Sequence, residues 1–465
     1  MKRFSVQRTK KLAWLTVAMA LAGCAVGPDY RRPQTPVPET IGAAQNVAEV
    51  KLPEWNAYFA DKTLQDLISR ALEYNRDLRV ATARVEEARA LYGIQRADLF
   101  PSFDVAAQAN SARTPASVSI TGSSVVARRY DVNLGLLAYE LDFWGRVRRL
   151  SESALASFYA STEAQRAFRL SLIADVANAY FSLRALDERA EFARRTATTR
   201  EEGLRVIARR AEAGVASRLD LLQAESALET ARADAAALAR QAANARHALA
   251  VLIGEPINVE TPSGATLDDL PLPAPLPAGL SSTVLLNRPD VLSAEQNLVA
   301  ANANIGAARA AFFPRLTLVG TLGVASNDLS HLFQSGSRAW SFAPSITQPL
   351  FEGGRLSAGV DVARARNVAA VAQYERAIQS AFAEVADVLS DQQYLAEQYA
   401  AQQRLVERQT ERLKLAEARY NAGLIGFLDV LDAQREQYTA QQVLIDVKRA
   451  RFAAAAQAYK ALGGS

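Results

Sequence analysis

The sequence predicts a mainly α-helical chain that also carries membrane-spanning β-strands, in a two-fold repeat of helix, strand, strand, long helix, turn and helix. Three observations carry this reading. Four short motifs recur at one offset of 209 residues. Residues 145–212 and 354–421 contain no proline and are rich in Ala, Arg, Glu and Leu. Four segments of roughly ten residues present one apolar face, the pattern of a strand tilted through a bilayer.

The repeat sets the element order. Gly145-Arg146-Val147 recurs as Gly354-Arg355-Leu356, and Ala213-Gly214-Val215 as Ala422-Gly423-Leu424. Leu219-Asp220-Leu221-Leu222 recurs as Leu428-Asp429-Val430-Leu431, and Gly254 as Gly463. Upstream, Leu99-Phe100-Pro101 recurs as Phe312-Phe313-Pro314 at an offset of 213. Duplication of one supersecondary unit explains this. Repeat 1 then spans residues 64–254 and repeat 2 residues 284–465. Between them, 255–283 hold six prolines and read as a linker, since proline removes a donor and fixes φ.

Each element follows from local pattern. First helices are expected over 64–98 and 284–311, stopped near Pro101 and Pro314. In the next helix Val147, Leu150, Ala154, Phe158, Phe168, Leu172, Val176, Tyr180 and Leu183 recur mostly at steps of three and four. A helix over 145–212 is ~100 Å long, so it needs coiled-coil partners. Gly214 and Gly423 sit where a left-handed C′ residue ends a helix. Tip turns follow at about 213–218 and 422–427, then antiparallel return helices at 217–253 and 426–462.

Strands are expected at about 102–110, 131–141, 315–325 and 340–351. In the first, Phe103, Val105, Ala107 and Ala109 alternate with Ser102, Asp104, Gln108 and Asn110. The fourth is less regular and contains Pro344 and Pro349. Four strands cannot close a barrel, and open edges do not survive in lipid. A shared barrel has 8 strands from two chains or 12 from three. One of about eight strands is filled by its own side chains, so a conduit favours three chains or more.

Residues 1–23 read as a lipoprotein signal peptide. Lys2, Arg3, Arg8, Lys10 and Lys11 precede an apolar run, Leu12 to Ala22, and Leu21-Ala22-Gly23-Cys24 closes it. Cys24 is the sole cysteine, the expected attachment point of diacylglycerol and an N-acyl chain. Residues 24–63 form a lipidated, extended N-terminal segment. Removing the leader's five basic groups leaves 48 basic against 49 acidic side chains, so the apparent basicity belongs to targeting rather than nucleic acid. The only histidines, His247 and His331, give little material for a metal site or a catalytic triad. No phosphate loop or nucleophile motif appears, and no enzyme or cofactor is expected beyond the acyl groups.

Several stretches resemble the outer-membrane factor family, the TolC- and OprM-like proteins, in the NodT-type lipoprotein branch. They are Val26-Gly27-Pro28-Asp29-Tyr30 after Cys24, Arg288-Pro289-Asp290, the run from Ile305 to Pro314, and above all the second tip from Arg419 to Arg435. The resemblance implies a homotrimer. Its 12-stranded barrel crosses the bacterial outer membrane and continues into a 12-helix periplasmic tunnel. It further implies docking of the tips, Gly214, Val215, Gly423 and Leu424, on a periplasmic adaptor (membrane fusion protein) coupled to an inner-membrane pump, RND-type, that exports drugs or other small molecules.

The resemblance places a periplasmic gate at Asp429 and Asp432, and Leu428 beside them is a candidate constriction by apolar contact. Spaced i, i+3, the two aspartates project from one helix face and in a three-fold assembly form two carboxylate rings that attract cations. The bland alternative is a solvated helix start. Tyr420 matches a family residue tying the tip hairpins together, with Asp220 its acceptor, and Ile425 replaces an arginine of that link. The exit duct of a type I protein secretion system is the alternative among ducts. A periplasmic lipoprotein enzyme and a coiled-coil spacer are alternatives of other classes.

Overall fold

A computed structural model describes residues 26–42, 52–120, 122–258 and 264–464. The signal peptide and Cys24 lie outside the described residues. The chain forms two compact units. One comprises Arg84–Thr162, Ser293–Tyr374 and the N-terminal residues through Gln34; the other comprises Thr35–Ala83, Glu163–Leu292 and Glu375–Ser465.

In chain order the elements are β1 (Thr40–Gly42), α1 (Lys62–Tyr74), α2 (Arg76–Ala97), β2 (Ser102–Thr114), β3 (Val125–Leu141), α3 (Arg146–Glu212) and α4 (Arg218–Ile253). Then come β4 (Gly279–Ser281), α5 (Pro289–Ala310), β5 (Arg315–Ser326), β6 (Arg338–Thr347), α6 (Arg355–Asn421) and α7 (Phe427–Ala461). Helix, strand pair, long helix and return helix thus occur twice in succession. Among the described residues no helix is long and apolar enough to cross a membrane.

The first unit is built on an antiparallel sheet ordered β2-β3-β5-β6. Register separates its faces. Val105 lies opposite Leu134, Val132 opposite Val324, and Leu322 opposite Trp340. One face therefore carries Phe103, Val105, Val132, Leu134, Leu322, Trp340, Phe342 and Ile346. The other carries Asp104, Gln108, Asn133, Thr317 and Thr321. Hydroxyl pairs bridge strands on this polar face, Thr317 with Ser345 at 3.0 Å and Thr321 with Ser341 at 2.7 Å. A bulge between Leu136 and Tyr139 restores the alternation up to Leu141. Strands β2 and β3 run longer at their connecting loop than alternation alone predicts. The fourth strand instead ends at Thr347, before Gln348-Pro349, and its Pro344 lies on an edge strand, where a missing N–H is tolerated.

Residues 26–32 lie along α5. Val26 N–H donates to Trp144 O (3.1 Å), Asn302 Nδ2 to Pro28 O (3.0 Å), and Tyr30 Oη to Glu295 (2.9 Å). Arg32 grips the same Glu295 carboxylate in a fork, at 2.6 and 2.8 Å. A Cβ on Gly27 would stand 2.5 Å from Gly306 Cα, so this approach needs glycine. Trp144 in turn stacks on Phe313 (4.7 Å) and donates its indole N–H to Pro314 O at 2.9 Å.

In the second unit the expected helix over 64–98 is two helices, broken at Asn75. This side chain is 3 % exposed and does two jobs. Its Oδ1 accepts from Leu78 N (2.7 Å), capping α2, and its Nδ2 donates to Leu252 O (2.6 Å) near the end of α4. The expected helix over 284–311 likewise begins only at Pro289, after a 3-10 turn at Ser282–Asn287. Proline suits the first helical position and pushes Arg288 before it to extended backbone. Buried Arg288 then donates to Ala461 O (2.8 Å) and pairs with Asp290 and Glu384, both at 2.7 Å.

The proline-rich linker carries β4, which pairs with β1, and a 3-10 turn at Leu267–Asp269. Gln392 holds it at Leu276 through both backbone groups, and Glu188 accepts from Leu267 N at 2.8 Å. Lys448 bonds Asp268 and lies 3.9 Å from Glu188. Burial pushes the Glu188 carboxyl upward, against the Leu267 N–H and the Lys448 charge, which pull it down.

Candidate functional site

Both long helices end alike. Gly214 and Gly423 adopt φ of 74°. Val215 N–H reaches back to Arg210 O (2.8 Å) and Gly214 N–H to Ala211 O (3.0 Å), the paired bonds of a Schellman motif. Leu424 with Arg419 and Gly423 with Tyr420 repeat it, both at 2.9 Å. The turned chain projects apolar side chains at each tip. Val215 is 69 % exposed, Leu424 68 %, Leu219 64 % and Leu428 63 %.

The two return helices start differently. Ser217 and Asp220 form a full capping box on α4: Ser217 N–H donates to Asp220 Oδ2 (3.0 Å) and Asp220 N–H to Ser217 Oγ (3.1 Å). On α7 the equivalent of Ser217 is Gly426, which has no side chain. Only Asp429 Oδ2 remains, accepting from Gly426 N–H at 3.2 Å.

Asp429 and Asp432 project into a cleft of about 810 Å³ that also includes Arg200, Gln223, Asp234 and Arg435. Their surroundings differ. Asp429 caps its helix, which is the local role that its first-turn position favours. Asp432 is ion-paired twice, with Arg412 of α6 at 2.7 Å and with Arg435 one turn along α7. Within one chain Asp432 therefore carries two guanidinium partners, whereas Asp429 carries none among the described residues. Arg435 was legible at i+3. Arg412, twenty residues upstream, was not, because only the hairpin brings it close. In the same cleft Arg200 donates to Ala227 O (2.7 Å), and burial pushes its guanidinium below the usual arginine range.

The expected Tyr420–Asp220 hydrogen bond is not formed within the chain. Asp220 is occupied at the α4 cap, where Ser217 Oγ also donates to it at 2.8 Å. The Tyr420 ring instead packs on Phe427 (5.5 Å between centroids) and beneath the Arg210 guanidinium (5.1 Å). The resemblance marks Tyr420 as a contact-making residue, and within one chain its contacts are Phe427 and Arg210.

The family described as outer membrane efflux protein matches residues 67–255 and 280–464. The solvent efflux pump outer membrane protein SrpC of Pseudomonas putida is 43 % identical over 454 residues, covering 96 % of each chain. Outer membrane protein OprJ of Pseudomonas aeruginosa is 40 % identical over 453 residues, covering 97 % of this chain and 95 % of its own. Among solved structures, the open-state MtrE outer membrane channel of Neisseria gonorrhoeae superposes with a TM-score of 0.85 at 43 % identity, covering 95 % of this chain and 98 % of the other. A membrane protein of Pseudomonas aeruginosa gives 0.87 at 40 % identity, covering 95 % and 100 %. This chain belongs to the outer membrane efflux protein family.

Proposed function

We propose that three copies of this chain form one duct, a 12-stranded barrel in the outer membrane continued by a 12-helix periplasmic tunnel. It serves as the exit component of a tripartite pump that exports small organic molecules. One observation carries the reading: a four-stranded sheet with both edges open, one face apolar and the other lined with bridged hydroxyls. Open edges need partner strands in lipid, and a polar inner face suits an aqueous lumen. Relatives named for solvent, toluene and antibiotic efflux support the substrate class.

In this reading the exposed apolar tips at Gly214, Val215, Gly423 and Leu424 dock on the adaptor. Asp429, with Leu428 beside it, lines the periplasmic constriction, and Asp432 with its arginines braces it. Cys24 carries the acyl chains that anchor the N-terminus in the outer membrane. Mass measurement of detergent-purified protein should give a trimer, and planar bilayers should show ion conductance. A monodisperse monomer with native secondary structure that never conducts would sink the duct. Metabolic labelling with a palmitate analogue should mark the wild type and not Cys24→Ser.

A further inference from the structure

Only three charged side chains lie on the apolar face of the sheet, and all are arginines at the same end. Register assigns them. Arg113 lies opposite Val126, Arg128 opposite Ser111, and Arg338 opposite Val324. Val126 and Ser111 share the face of Leu134 and Val105, and Val324 that of Leu322, because side chains alternate along a strand. On β3 the same face continues from Arg128 to Tyr130, Val132, Leu134 and Leu136. On β6 it continues from Arg338 to Trp340, Phe342, Pro344 and Ile346. No further charge occurs on this face down to Phe103, Leu141, Leu316 and Ile346.

The arginines mark one rim. α2 enters β2 and α5 enters β5 at the opposite end, and β3 and β6 lead out there into α3 and α6. The arginine end holds the two loops between paired strands. A charge on a lipid-facing strand is costly at mid-bilayer and tolerated near the interface. Tyr130 and Trp340, next inward on their strands, suit that boundary. All three arginines are exposed. Arg113 touches only Ser124 Oγ, at 3.2 Å, and Arg128 and Arg338 have no hydrogen-bond or ion-pair partner among the described residues. By contrast Arg129, on the polar face, is held by Asp131 in a fork at 2.8–2.9 Å. Uncompensated guanidinium groups beside hydrocarbon call for an anion at the same depth.

We propose that Arg113, Arg128 and Arg338 form a binding site for phosphate groups of the outer-leaflet glycolipid. The inference rests on the duct reading, which makes the apolar face lipid-facing and the loop end external. Guanidinium forks match phosphate oxygens in pairs, which favours arginine over lysine here. Strands β2 and β6 are the open edges, so barrel closure sets Arg338 of one copy beside the seam that holds the next copy's Arg113 and Arg128. The site is then shared between subunits.

The test uses the full-length trimer in detergent and purified lipopolysaccharide, either with its lipid phosphates intact or enzymatically dephosphorylated. Wild-type protein should bind the phosphorylated form at least about tenfold more tightly, the ratio expected when one charge-assisted contact is lost. Combined Arg113→Gln, Arg128→Gln and Arg338→Gln should erase that preference. The three Lys replacements should retain part of it, and Arg129→Gln all of it. Each single Gln variant should lose a share, which keeps the test open if the triple variant assembles poorly. No preference in the wild type, or an unchanged one in the Gln variants, overturns the site. Displacement of the lipid by millimolar inorganic phosphate would also overturn it, in favour of a free-phosphate site. Bilayer conductance separates the two readings: a wild-type trimer that conducts without preferring phosphate loses the site and keeps the duct.

Discussion

Arg412 of α6 and Asp432 of α7 meet at 2.7 Å across the second hairpin, joining two helices close to the turn between them. Asp432 is only 37 % exposed, yet Arg412 is half-exposed, so screening keeps the pair modest. A double-mutant cycle with Arg412→Ala and Asp432→Ala should give a coupling of about 0.2–1 kcal/mol in the stability of this hairpin. Coupling indistinguishable from zero would mean that Arg435 alone neutralises the aspartate.

The same geometry ranks the aspartates in ion selection. Asp429 has no arginine on its carboxylate, whereas Asp432 has two. Asp429→Ala should therefore lower cation selectivity and multivalent-cation block more than Asp432→Ala does. Single-channel recordings with graded divalent cation on the periplasmic side read both quantities. Equal effects would show that the arginines do not shield Asp432 in the assembled pore.

At Tyr420 the contacts within one chain are made by the ring. Tyr420→Phe preserves the contacts with Phe427 and Arg210 and should leave the tip nearly unchanged. Tyr420→Ala removes both, at a cost of roughly 1–2 kcal/mol, and should raise the frequency of channel opening. If Tyr420→Phe opened the channel as readily as Tyr420→Ala, a hydroxyl contact between subunits would be required.

Asn75→Ala should be among the more costly substitutions outside the tips. It removes the α2 cap and strands Leu252 O, about 2–4 kcal/mol together. Hydrogen exchange should accelerate over residues 76–80 and at the end of α4. Asn75→Asp keeps the cap and should protect α2 better than α4.

Glu188 makes the linker clasp pH-dependent with a defined sign. Burial raises its folded carboxyl above the unfolded value, so its contribution is complete at low pH and is lost as pH rises through the folded value. Acidification through the raised folded value should therefore stabilise the fold around Glu188, because the buried group no longer has to carry charge. Unfolding stability measured with denaturant should rise on acidification more in the wild type than in Glu188→Gln. A matching gain in the variant would assign the effect elsewhere.

Sequence by itself determined the elements whose causes are local. Gly214 and Gly423 end the long helices because a left-handed C′ residue is a property of a few bonds. The alternation through Phe103, Val105, Ala107 and Ala109 likewise shows on the strand that contains it. Pro289 marks the start of α5 by the same kind of rule, five residues after the 284 expected from the apolar pattern. What only the tertiary structure decided are the pairings over long separations. Asn75 breaks a helix because Leu252 O, 177 residues on, awaits its amide. Asp432 is neutralised because the hairpin returns α7 to Arg412, Tyr420 meets Arg210 rather than Asp220, and Gly27 is required by Gly306. Backbone preference acts over a few residues. The choice of partner for a buried amide or a charge is settled when loops close and helices pack, and that information lies in no single stretch of the chain.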